Sequence, residues 1–149
     1  MWTRRNLVGS VAAGAAGIAL GVGRARAQNP AGGDQPHHEG MWKACCETCD
    51  NCAKACNKAF HHCMTQVTKG KAEHARAAQT TADCAEFCTL SATMLARDSS
   101  LAMFSCAACA DACKRCAQDC ESFDSDLEMK MCLEECKRCE ESCRKMMKA

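Results

Sequence analysis

The stretch Cys106-Ala-Ala-Cys109-Ala-Asp-Ala-Cys113-Lys-Arg-Cys116-Ala-Gln-Asp-Cys120 decides how the chain folds. Its thiols recur at alternating steps of three and four residues, and such steps place side chains on one face of an α-helix. Alternating the two steps draws the a/d seam of a helical bundle, a stripe usually filled by branched aliphatic residues. The same rhythm returns in Cys132, Cys136, Cys139 and Cys143, and again in Cys45, Cys49, Cys52, Cys56 and Cys63, where Ala59 stands for a missing member. A further segment carries only Cys84 and Cys88, on a stripe continued by His74, Ala77, Thr81, Ser91 and Leu95. Of the 17 cysteines, Cys46 alone falls off these seams.

Around the seams the sequence predicts helix throughout. Beyond Gly40 there is no Pro and much Ala, Lys, Glu, Met and Cys, a composition that favours the α-helix. Breaks are expected at Thr68-Lys69-Gly70, at Arg97-Asp98-Ser99-Ser100 and at Ser122-Phe123-Asp124-Ser125. Gly70 suits a helix C-terminus. Asp98 or Ser99 is the expected cap of a third helix, and Ser125 with Glu128 has the spacing of a capping box for a fourth. Four helices over roughly 40–68, 71–97, 99–122 and 125–147, joined by short turns, make an all-α, antiparallel up-down-up-down four-helix bundle with a Cys-lined core.

Composition supports the same picture from the other side. From Gln28 onward Leu, Val and Phe number only ten and Ile is absent, a poverty that ordinarily signals disorder. A folded chain of this kind needs another filler for its interior, and the thiols are the only residues numerous enough. The formal net charge is +1 over 149 residues, which argues against recruitment to nucleic acid or anionic lipid by charge.

Residues 1–27 read as an address. Thr3-Arg4-Arg5-Asn6-Leu7, an apolar Gly/Ala-rich run from Val8 to Val22, and Ala25-Arg26-Ala27 have the order of a twin-arginine signal with a cleavage site after Ala27. The apolar run is shorter than the roughly 20 residues a membrane span needs. Cleavage removes Arg4, Arg5, Arg24 and Arg26 without any acid, turning the balance of +1 into −3. Residues 28–39 hold both prolines and read as a flexible arm leading into a bundle over 40–149. The expected location is therefore periplasmic or extracellular, with no membrane attachment after cleavage.

Such a density of thiols on one seam calls for metal. Disulfides fit poorly, because Cβ atoms at i,i+3 and i,i+4 lie about 5 to 6 Å apart and a disulfide needs about 3.5 to 4.5 Å. The odd cysteine total also leaves one thiol over. No βαβ pattern is present to build a thioredoxin-like redox site. Cys46, Cys49, Cys52 and Cys56 match the C-x2-C-x2-C-x3-C run of an iron–sulfur electron carrier, although Asn57 replaces the Pro expected after the fourth Cys. Zinc wants four tetrahedral ligands, so a zinc or mixed-metal sink would use about four sites. Cu(I) suits thiolate and thioether, and with two or three ligands per ion it could use the whole seam.

The three repeats, Cys106 to Cys120, Cys132 to Cys143 and Asp83-Cys84-Ala-Glu-Phe-Cys88, resemble the bacterial copper storage proteins, a Cys-rich four-helix-bundle family. The resemblance covers residues from about 42 to 147. It implies a non-enzymatic protein that holds many Cu(I) ions along a preformed thiol-lined core, commonly as a homotetramer, and resembles the exported members in its leader. A copper donor or acceptor protein is the implied partner.

In an antiparallel bundle one end gathers His38, Trp42, Leu95 and Met146, and the other gathers Cys63, His74, Cys120 and Met129. The second set is all sulfur and nitrogen donors, so copper is expected to enter there, past His74 and Met129. His61 and His62 lie off the stripe. Met41, Met64, Met94, Met103, Met131 and Met147 are expected at the core edge or in subunit contacts.

Overall fold

The computed structural model describes residues 36–148, with side chains from Gly40 onward. The expected signal over 1–27 lies outside the described residues, as does the arm up to residue 35. Four helices follow in order: α1 (Pro36–Thr68), α2 (His74–Ala96), α3 (Ala102–Cys120) and α4 (Leu127–Met146). Each packs on its neighbour in sequence and α4 closes against α1, which gives the antiparallel up-down-up-down bundle. The diagonal helices meet through thiols, as where Cys52 of α1 lies 3.8 Å from Cys113 of α3.

All sixteen seam cysteines are buried, none more than 2 % exposed. Free Cys behaves as a small apolar side chain, so these thiols supply the packing that Leu would supply elsewhere. Ala59, Ala77, Ala102 and Ala110 are buried beside them, and such short side chains let the helices approach closely. Leu95, Met129 and Met146 are the largest side chains fully enclosed, and they sit at the two ends of the seam. The 17 thiols are all free, in accord with the spacing argument against intrahelical disulfides. Charged residues keep to the outer face, where Arg144 pairs with Glu140 at 2.8 Å and Arg76 with Asp119 at 3.0 Å. Exposed pairs of this kind contribute about 0 to 1 kcal/mol each.

The helix ends depart from the expected ones. Helix α1 begins at Pro36, so the last residues of the expected arm are helical; Pro is well placed in a first turn, where its missing N–H costs nothing. Helices α2 and α3 begin three residues late, because the chain first makes tight turns: His74 N–H donates to Lys71 O at 3.2 Å and Ala102 N–H to Ser99 O at 3.0 Å. Asp98 does not cap α3. It takes a left-handed φ of 50° just past α2, while Ser99 Oγ accepts only from Leu101 N–H, at 3.3 Å, ahead of the helix. Nor does Ser125 cap α4. Asp126 does, accepting from Glu128 N–H at 3.1 Å and Met129 N–H at 3.4 Å. Gly70 behaves as expected, with φ 86° and Lys71 N–H bonded back to Gln66 O.

Candidate metal centre

The seams of α1, α3 and α4 each bring a column of thiols to the bundle axis, and α2 adds Cys84 and Cys88 at its middle. An unbroken path of sulfur contacts, none longer than 4.0 Å, runs Cys45, Cys143, Cys49, Cys139, Cys109, Cys113, Cys52, Cys56, Cys132, Cys116. Along it the thiols gather in fours. Cys49, Cys109, Cys139 and Cys143 form one group, Cys52, Cys84, Cys88 and Cys113 a second, and Cys56, Cys116, Cys132 and Cys136 a third. Other fours join these by sharing their sulfurs, Cys52 with Cys56, Cys84 and Cys136, and Cys88 with Cys109, Cys113 and Cys139, and within each four every Sγ lies within 4.8 Å of the others. Cys45 and Cys106 lie towards one end of the core, and Cys63 and Cys120 towards the other.

Helix α2 is poor in thiols where it approaches either end. Thr81 and Ser91 occupy its stripe there, both fully buried. The Thr81 hydroxyl is satisfied within its own helix by Ala77 O at 2.7 Å. Ser91 Oγ has no hydrogen-bond partner.

Thiols in contact polarise one another. Hydrogen bonds from neighbouring thiols, Cys113 for Cys84 and Cys109 for Cys139, pull those two well below the ordinary thiol range. Cys88 and Cys136 are pushed up by their contacts with Cys109 and Cys113. A thiolate formed in the ladder is thus held by the S–H groups around it. Cys63 lacks such a shell, and burial pushes it up to about 11.

The two ends differ in chemistry. At the first, Trp42 Nε1–H donates to Leu95 O at 2.7 Å, and buried Leu95 and Met146 close the seam with apolar groups. The structure describes no side chain for His38. At the second end, Cys63 Sγ–H points to Met129 Sδ at 3.4 Å, both fully buried. His74 is buried there too, with neither ring nitrogen hydrogen-bonded. Its ring leans on Phe123 with centroids 4.4 Å apart. An orphaned, buried imidazole at the end that also holds the Cys63–Met129 pair adds a nitrogen to sulfur donors suited to a soft ion.

Sequence reasoning missed two groups at this end. His62 is off the stripe, yet its Nε2–H donates to Asp126 Oδ2 at 2.6 Å, and His74 Nε2 lies 3.8 Å from the same oxygen. Burial would raise the Asp126 carboxyl, but the bonds from His62 and from the Met129 and Glu128 amides outweigh it and hold it below its ordinary value. The available signal was Asp126 three residues before Met129, the spacing of an N-cap to the third residue of its helix. The iron–sulfur run fails in three dimensions. Cys46 turns away from the seam and its Sγ–H meets Ala92 O at 3.4 Å, so it does not converge with Cys49, Cys52 and Cys56. Met41, Met94 and Met103 pack on the core edge as expected, and Met64, Met131 and Met147 are exposed.

Fold and site together define a class: a four-helix bundle whose interior is a continuous stack of thiol ligands for soft metal ions. The chain belongs to the copper storage protein family, whose sequence pattern it matches over residues 38–148. It is 31 % identical to a protein solved as the Cu(I)-bound copper storage protein BsCsp3, with a TM-score of 0.66, over 72 % of this chain and 98 % of that one. It is 25 % identical to a cytosolic copper storage protein from Streptomyces lividans solved with five coppers, with a TM-score of 0.71, over 77 % of this chain and 98 % of that one. An uncharacterised cysteine-rich protein of Bacillus subtilis (strain 168) is 34 % identical over 86 residues, 56 % of this chain and 76 % of the relative.

Proposed function

We propose that the chain stores many Cu(I) ions along its core, outside the cytoplasm, as a homotetramer and without catalysing a reaction. The observation that carries this reading is the unbroken sulfur path, enclosed by helices and held together without disulfides. A soft monovalent ion needing two or three ligands can occupy successive steps of such a path and share sulfurs between steps. Each ion displaces protons as the thiols it binds ionise. Anaerobic titration of the reduced chain with Cu(I) against a competing chelator should break near the number of seam thiols. Saturation at three or four ions would overturn storage on this scale.

His74, Met129, Cys63 and Cys120 are the proposed mouth, with His62 and Asp126 as its polar wall. The other end is stoppered by Trp42, Leu95 and Met146. Replacing His74→Ala together with Met129→Leu is expected to slow loading several-fold and leave capacity unchanged, read by stopped-flow uptake from a Cu(I)–chelator complex. Unaltered uptake kinetics would remove these residues from the route. Self-association is supported by Phe87, Leu90, Leu101 and Phe104, which α2, α3 and the turn between them leave exposed. Export rests on the leader of residues 1–27, and no described helix is long and apolar enough to cross a membrane. A copper donor or acceptor protein would exchange ions at the mouth by ligand substitution.

A further inference from the structure

Three side chains at the sulfur-rich end make a cluster that the thiol ladder does not use. His62 comes from α1, His74 opens α2 and Asp126 caps α4. Asp126 Oδ1 accepts the Glu128 and Met129 amides, which fixes the carboxylate. Its Oδ2 then faces both imidazoles, 2.6 Å from His62 Nε2 and 3.8 Å from His74 Nε2. The two ring centroids lie 5.9 Å apart, with the planes tilted by 59°. Phe123 packs on the His74 ring, centroid to centroid at 4.4 Å, and Glu73 Oε1 stands 3.9 Å from its Nδ1. An ion pair accounts for His62 and Asp126 but leaves His74, only 4 % exposed, with neither nitrogen hydrogen-bonded. From this geometry we infer that His62, His74 and Asp126 form a second metal site, for one borderline divalent ion such as Zn(II).

A tetrahedral ion with ligand bonds of about 2.0 to 2.2 Å spaces its ligand atoms about 3.3 Å apart and two imidazole centroids about 5 to 6 Å apart. Opening the His62–Asp126 contact and closing the His74–Asp126 one to that edge changes each by less than about 1 Å. Water takes the fourth position. His62 gives up the proton on Nε2 and takes one from solvent on Nδ1, so binding to neutral rings releases no net proton. Two nitrogens and a carboxylate oxygen suit a borderline divalent ion, whereas a carboxylate is a poor ligand for Cu(I). Charge agrees with this choice. The Asp126 carboxylate meets the ion directly, and Glu73 stands behind His74, where a carboxylate on Nδ1–H orients a ligating imidazole. The site uses no thiol and so does not rest on the storage reading; it shares only His74 with the proposed Cu(I) donors of the mouth.

The test follows the histidine ring nitrogens of the isotope-labelled full chain by NMR as Zn(II) is raised through a chelator buffer. One sample is first loaded with Cu(I) to occupy the thiols, and a parallel one is reduced and metal-free. The Nε2 signals of His62 and His74 are expected to shift together, saturating with one Zn(II) in the loaded chain. Asp126→Asn keeps a capping side chain and loses the carboxylate; it should weaken this binding about tenfold or more, as should His62→Gln. His61→Gln, one residue away, should leave it unchanged, while circular dichroism confirms that the variants are folded. Rings that stay unmoved at excess Zn(II), movement of one ring alone, or equal affinities in His61→Gln and His62→Gln would each overturn the inference. Paired shifts in a chain that takes up no Cu(I) would sink the storage reading and spare this one, and full Cu(I) loading without them would do the opposite.

Discussion

Loading with Cu(I) should carry the unfolding of the chain far beyond that of the metal-free form. An ion that binds only the folded state adds about 4 kcal/mol when its free concentration is a thousand times its dissociation constant. Three ions at that saturation would add about 12 kcal/mol, as much as the whole stability of an ordinary domain. The expected result is a metal-free chain that is helical and melts cooperatively, and a loaded chain that shows no transition in guanidinium before the reagent runs out. Circular dichroism at matched protein concentration makes the comparison. Equal midpoints for the two forms would mean that copper binds the unfolded thiols as well as the folded ones. A metal-free chain without helical signal would mean that the apo bundle does not pack as its buried thiols indicate.

The second large effect is expected at the centre of the ladder. Cys113 is fully buried and lies 3.6 Å from Cys84 and Cys88, 3.8 Å from Cys52 and 3.9 Å from Cys109. Cys113→Asp places a carboxylate there with no cation to meet it, and an uncompensated buried charge costs about 3 to 5 kcal/mol. Against a metal-free stability of about 5 to 15 kcal/mol, that change removes most of the stability of a bundle at the low end of the range and should lower the denaturation midpoint strongly anywhere in it. Cys113→Ser keeps the size and leaves a hydroxyl, at about 1 to 3 kcal/mol if it goes unpaired. The serine chain should fold, with a lower denaturation midpoint, and bind less metal. If aspartate and serine variants unfolded at the same midpoint, the core around Cys113 would be open to water and the enclosed ladder would be wrong.

Most of the bundle was legible because one rule, the alternation of three and four, governs both where a helix faces and where its thiols fall. It placed sixteen cysteines on the axis and Cys46 off it, and it separated a sulfur-rich end from an apolar one. What it did not reach were features decided by single residues acting across helices. Helix starts depended on whether the chain made a tight turn first, as at Lys71 and Ser99, and nothing in residue periodicity reports that. Ser125 has the capping-box spacing to Glu128 in sequence, while the backbone presents its neighbour Asp126 to the free amides. His62 lies off the stripe, yet its side chain reaches Asp126 from α1. The gathering of thiols from three helices into overlapping fours also depends on register between helices, which spacing within one helix leaves open.

The enclosure of the ladder bears on how another molecule could recognise the state of this one. With one Cu(I) bound per ionised thiol, as sharing of sulfurs allows at full loading, Cu(I) for H⁺ is an exchange of equal charge, and it takes place among side chains that are at most 2 % exposed. An empty chain and a full one therefore present the same outer surface and carry the same net charge. Whatever delivers or withdraws copper has no advertisement of the contents to read from the sides of the bundle. It must interrogate the proposed mouth itself, the one place where the contents meet the surface.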